Sequence, residues 1–262
     1  MTSTQLHPTP DTRVVAAEQF RAVGLAVRTE AYFYIGALLA IAILVFASTI
    51  RMMHVHPSSN VNNGFVYGAG GAVPIFAMAL LIPFGVWRSE DPSRRSYHWT
   101  MPVARGPHTI IKFLCGWAWV MIATVVYLVF VGILAAGLSL ITGAPDRVAA
   151  GPGWEWVAAF TATTIGYLLT SVAVIGSDHA WRWIGGLFIA FWVLVGVSSS
   201  FGLPDMSLAL QSIWNGAYGL KTALFGLEYR RGWTMGSWPV AMPLWIIGSA
   251  IAVAIVSYRH RE

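Results

Sequence analysis

Charge is what this sequence has least of. Its 262 residues include 16 Lys and Arg and 11 Asp and Glu, a charged fraction of 10%, against about 25% in a soluble domain. With 56% hydrophobic residues, the chain lacks the polar side chains to cover its own surface in water. That excludes an ordinary soluble fold and implies a membrane protein. Cysteine is nearly absent too. The single Cys115 excludes a disulfide framework and a thiolate metal cluster, and leaves the redox compartment open. The sequence also lacks G-x-x-x-x-G-K-[ST], H-E-x-x-H, G-x-S-x-G and paired carboxylates inside its apolar runs. Neither nucleotide hydrolysis nor another catalytic activity is therefore expected of the chain itself. Its first 30 residues carry no short apolar core followed by a small-residue cleavage site, so no cleaved signal peptide is expected.

What is there, in quantity, is uninterrupted apolar sequence. Crossing about 30 Å of hydrocarbon takes about 20 apolar residues in a helix. Six stretches meet that requirement without an Asp, Glu, Lys or Arg: Ala31–Ile50, Phe65–Trp87, Phe113–Thr142, Trp156–Gly176, Trp183–Leu203 and Trp238–Tyr258. Continuous rather than alternating hydrophobicity makes them helices and not barrel strands. Trp87, Trp156, Trp183 and Trp238 fall at span ends, where indole anchors at the membrane interface. The segment Asp205–Leu227 is less apolar and holds Asp205, Gln211, Asn215 and Lys221. These groups are expensive in lipid, so it reads as outer surface or re-entrant helix rather than a seventh crossing. The expected fold is thus an all-α membrane protein of six transmembrane helices.

Six spans place both termini on one side. Eleven Lys and Arg fall on the side of the termini and five on the other, so the positive-inside rule puts both termini, and the tail 259–262, in the cytoplasm. This scattering of basic residues between apolar spans, rather than over one soluble face, also argues against nucleic acid as the partner. Residues 1–12 read as disordered. From 13 to 30 a helix is expected, with Ala16, Phe20, Val23 and Val27 on one face and Arg21 and Arg28 on another. It reads as an amphipathic interfacial helix on the inner leaflet, with a short soluble helix as the alternative.

Several smaller features invite chemistry. Gly68, Gly70 and Gly71 with Pro74 and Pro83 in span two fit either a kinked helix beside a pathway or ordinary close packing. His54 and His56 beside Met52 and Met53 have the softness copper prefers, but no third fixed ligand, so no metal site is assigned. Ser177, Asp178 and His179 are too close in sequence to converge as a hydrolase triad. No catalytic residue is assigned, and the substrate is not legible.

The remaining feature is the segment from Trp87 to Lys112, which holds seven charged residues, five of them basic. Asp91 followed by Pro92 is a helix start. Pro102 forces Met101 extended and ends that helix near Thr100. Pro107 starts another that runs through Lys112 into span three. Tyr97, His98 and Trp99 form an aromatic cluster flanked by Arg94, Arg95 and Arg105, the residue types that interfaces concentrate at hot spots. Lipid-phosphate binding is the other reading of these arginines.

With its six spans, its cytoplasmic knuckle and the local pattern Glu90…Arg95…Tyr97…Met101-Pro102-Val103-Ala104-Arg105 followed by Lys112, the chain resembles an ABC-2-type transporter permease over about residues 13–258. Met101 and Ala104 stand where Leu and Ser are common in that family. The resemblance implies that the first cytoplasmic loop is a coupling helix seated on a separate ATP-binding cassette ATPase. Glu90, Arg94, Arg95, Tyr97, Trp99 and Arg105 would contact or position that ATPase. A second permease chain, identical or not, would complete the pathway, with outer re-entrant helices within 205–227 capping it. ATP and Mg would bind the partner ATPase, and this chain would bind no cofactor. Export across the cell membrane follows from the resemblance alone. The competing reading is a non-transporting anchoring or assembly subunit of another complex. An ion-coupled transporter is disfavoured by the lack of any acid, base or histidine inside the spans.

Overall fold

The structure, a computed structural model, describes residues 12–55, 69–88, 105–142, 154–177, 179–225 and 237–259. Among these residues it is helical, with no strand. Eight helices follow one another: α1 (Thr12–Val55), α2 (Ala69–Trp87), α3 (Arg105–Thr142), α4 (Trp154–Gly176), α5 (Ala180–Ser200), α6 (Pro204–Asn215), α7 (Leu220–Phe225) and α8 (Trp238–Arg259). Five of them, α1, α3, α4, α5 and α8, are long and apolar enough to cross a membrane. Helix α2, at 19 residues, rises about 28 Å.

Helix α4 is the hub. It packs against α2, α3, α7 and α8, and touches the start of α5. Its apolar stretch is 67% buried, against 11% for α5 and 12% for α1. Small residues allow this closeness. Gly166 of α4 faces the Phe76 ring of α2, and Gly176 faces Val256 of α8, as small residues do where membrane helices approach. Two of the hydroxyls that α4 brings inside are satisfied locally: Thr163 Oγ1 donates to Ala159 O (2.9 Å) and Thr164 Oγ1 to Phe160 O (2.8 Å). Trp117 Nε1 of α3 then donates to Thr164 Oγ1 (3.1 Å). Each such bond keeps a polar group from standing unpaired in a medium without water.

The outward faces are apolar. On α8, Val240, Leu244, Ile247, Ile251 and Ile255 recur at helical spacing and are exposed. On α5, Leu187, Phe188, Val193 and Leu194 are exposed as well. In a soluble protein such surface would aggregate. In a bilayer it is the lipid-facing surface.

Three boundaries differ from those the sequence predicts. First, 13–30 and 31–50 are one helix: α1 runs unbroken for 44 residues, about 66 Å. No Pro interrupts it, and the face carrying Phe20, Val23 and Val27 packs on α2 and α3 rather than standing alone: Gly24 lies against Trp119, and Val27 against Gly85. The division at residue 30 is a change of composition, not of backbone. Second, the fifth apolar helix ends at Ser200, three residues before the predicted Leu203. Gly202 adopts φ +67°, Gly202 N–H donates to Ser199 O (3.3 Å) and Leu203 N–H to Ser198 O (2.9 Å). That is a Schellman stop, which needs the left-handed residue glycine supplies. Pro204 then opens α6 at its first position. Third, α3 begins at Arg105, two residues ahead of Pro107, whose missing N–H costs nothing in a first turn. Within 205–227 the described residues form two short helices, α6 and α7, joined by a turn at residues 216–219.

Candidate functional site

The charged segment between α2 and α3 is the candidate site, and the structure fastens its α2 flank to α1 and α3. Trp87, last residue of α2, is buried, and so is Lys112 of α3. The Lys112 ammonium sits 5.0 Å from the centroid of the Trp87 ring, a cation–π contact worth about 2 kcal/mol when desolvated. One residue on, Arg88 Nη1 meets Glu30 Oε1 of α1 at 3.0 Å. That pair is largely exposed, so it adds at most about 1 kcal/mol. Its geometric meaning is larger: the residue before the charge-free run of α1 and the residue after α2 lie at the same end of the bundle.

The rest of that end is aromatic and tightly packed. Phe84 of α2 stacks on Trp181 of α5, with ring centroids 4.3 Å apart and planes 6° apart. Tyr167 of α4 is fully buried and donates to Phe113 O of α3 (3.0 Å). The turn into α5 is closed by His179 N–H donating to Ser177 Oγ (3.1 Å). This is a local turn contact. Next to it an open cleft of about 700 Å³ is lined by Ser177, His179, Arg182 and Trp183.

Of the residues singled out in the sequence, Glu90, Arg94, Arg95, Tyr97 and Trp99 lie outside the described residues, as does the helix expected from Pro92 to Thr100. Arg105 is the first residue of α3, where its backbone alone is described. His56 and Asp178 are likewise outside. Among the described residues no group of three His, Cys, Asp or Glu side chains could hold a metal ion.

At the opposite end, α7 packs on the bundle, and α6 joins it to α5. Ala223 and Leu224 of α7 are fully buried against α2, α4 and α8. Trp238 Nε1 donates to Ala223 O (3.2 Å) and Trp245 Nε1 to Tyr218 O (3.0 Å). Ser237 Oγ donates to Ala217 O. Two indoles and a hydroxyl of α8 and its approach thus tie down the α6–α7 carbonyls. Between the two ends, the described apolar stretches hold no ionisable Asp, Glu, Lys, Arg or His side chain beyond Lys112 at the rim. Ser171 and Ser249 are buried with no hydrogen-bond partner among the described residues.

Sequence reasoning missed the Glu30–Arg88 pair and the Trp87–Lys112 contact. Their signal was present: an acid immediately before one apolar run, a base immediately after the next, and an indole and a lysine bracketing the charged segment.

No protein-family model, no curated protein and no solved structure matches the chain.

Proposed function

We propose that the chain is the transmembrane permease subunit of an ATP-driven transporter of the ABC-2 type, working as an exporter in the cell membrane. In this reading α2 is the sixth crossing and both termini are cytoplasmic. Two permease chains form the pathway, and a separate ATP-binding cassette ATPase, carrying ATP and Mg, drives it. The segment around Glu90, Arg94, Arg95, Tyr97, Trp99 and Arg105 is where that ATPase takes hold.

The observation that carries the reading is the fastening of that segment. A loop that is to receive a push must have stiff attachments, or the displacement is lost in the loop. Here its α2 flank is held by Trp87, pressed on Lys112 of α3, and by Arg88, paired with Glu30 of α1, so a push arriving at the end of α2 is shared with α1 and α3. The lack of ionisable groups in the described interior also favours a drive from outside over an internal ion relay. The α6–α7 cap at the other end suits a pathway closed on one face.

The test is co-purification of the chain with its candidate ATPase, wild type against Tyr97→Ala/Trp99→Ala. Loss of an interface hot spot costs about 2 kcal/mol or more, so complex affinity should fall at least about thirtyfold. Transport-linked ATP hydrolysis should fall with it. Unchanged recovery together with unchanged hydrolysis would refute the assignment.

A further inference from the structure

A cleft of about 590 Å³ opens between α1 and α3, closed behind by Ile82 of α2. Its size is that of a small-molecule site, typically about 300–1,000 Å³. Its base is rigid. Phe20 and Trp119 stack at 4.9 Å between centroids, and Trp119 Nε1 donates to Phe20 O (3.0 Å). Beside them Gly24 lets the helices touch, since a Cβ there would come 2.6 Å from Trp119 Cζ2.

The lining is divided by polarity. Ile35, Ile122 and Val126 make one part purely apolar. Arg21 and Arg28 line the other, one heptad apart on α1, about 10 Å along its axis. The Arg28 guanidinium lies 5.7 Å from the centroid of the Tyr32 ring, which holds it toward the cleft. Both arginines are exposed, and among the described residues neither has a carboxylate partner. Glu30, two residues beyond Arg28, is engaged by Arg88. The cleft also sits where α1 passes from charged to charge-free sequence at Ala31.

We propose that this cleft is a binding site for an acidic phospholipid. Arg21 and Arg28 hold its phosphate, and an acyl chain lies along Ile35, Ile122 and Val126. The inference requires only that the chain is a membrane protein, and stands whether or not an ATPase drives it. Chain burial alone gives little preference, because bilayer hydrocarbon is as apolar as the cleft wall. Selectivity comes from the guanidinium groups, whose planar donor forks match phosphate oxygens. A zwitterionic headgroup brings its own cation toward them.

The experiment is native mass spectrometry of the full chain in detergent, titrated with phosphatidylglycerol and with phosphatidylcholine of the same acyl chains. Phosphatidylglycerol should be retained about fivefold more tightly for each arginine it meets. Arg21→Gln/Arg28→Gln should bring its retention down to the phosphatidylcholine level. Both side chains are exposed, so the variant keeps its fold, which an unchanged melting temperature checks. Ala31→Phe, which narrows the cleft and leaves the charges, should also weaken phosphatidylglycerol. Glycerol phosphate, having no chains, should not compete. Equal retention of phosphatidylglycerol by wild type and Arg21→Gln/Arg28→Gln would overturn the proposal. So would indifference to Ala31→Phe, or full competition by glycerol phosphate, which would make it a plain anion site.

Discussion

Replacing Gly116 by Ala tests a close contact between α2, α3 and α4. A Cβ at Gly116 would overlap the Tyr167 hydroxyl and come within 3.0 Å of Val86 Cγ2. Tyr167 cannot swing aside, because its ring is fully buried and packs 5.2 Å from Phe113. Its hydroxyl also donates to Phe113 O, so displacement breaks a buried hydrogen bond. Overpacking costs about 1–3 kcal/mol and an unpaired buried hydroxyl about 1–3 kcal/mol. The better helix propensity of Ala returns about 1 kcal/mol. The net expectation is a loss of about 3 kcal/mol, within a span of about 1–5. Tyr167→Phe alone removes only the hydrogen bond and should cost about 1 kcal/mol. It also removes the overlapping atom, so the double variant should be more stable than Gly116→Ala by itself. The cycle should show a coupling of at least about 1 kcal/mol. The measurement is reversible unfolding in mixed micelles by titration with a denaturing detergent, followed by circular dichroism. Costs that add within about 0.5 kcal/mol, or a neutral Gly116→Ala, would refute the packing argument.

Lys112→Met keeps an unbranched side chain one atom shorter and removes the cation over Trp87. It should cost about 1–2 kcal/mol of stability in the same unfolding measurement. Gly202→Ala should cost about 1–2 kcal/mol because φ +67° at the end of α5 is strained for an L side chain. Gly202→Asn should cost less, since Asn tolerates that region, and thermal melting of the two variants side by side separates them.

Where a helix had to be long and greasy, the amino-acid order alone was enough. The runs around 113–142, 156–176 and 238–258 sit inside α3, α4 and α8, because lipid admits few other ways to satisfy a backbone. The paired short helices at 204–225 were foreshadowed by Asp205, Gln211 and Lys221, which lipid would reject. The continuity of α1 was not legible. Arg21, Arg28 and Glu30 announce a polar stretch, but polarity does not break a helix, and nothing between Ala26 and Ala31 does so either. The early end of α5 was hidden for the opposite reason: Phe201 and Leu203 extend the apolar run, while the stop comes from the backbone of Gly202. Within the candidate site, composition marked the segment as charged and proline-punctuated. The clamps at its base needed three dimensions, because Glu30 and Arg88 are 58 residues apart.

The central place of α4 has a consequence for how the chain is made. Of the five long apolar helices it is the least apolar, with Thr161, Thr163, Thr164, Thr170 and Ser171 along it. Leaving the ribosome alone, it would be the weakest candidate for entry into the bilayer. Yet α2 and α3, two of the helices it packs against, precede it in synthesis. Trp117, already in place on α3, is waiting for Thr164. The order of the helices along the chain thus brings the hub in after α2 and α3 and before α7 and α8, which pack on it afterwards.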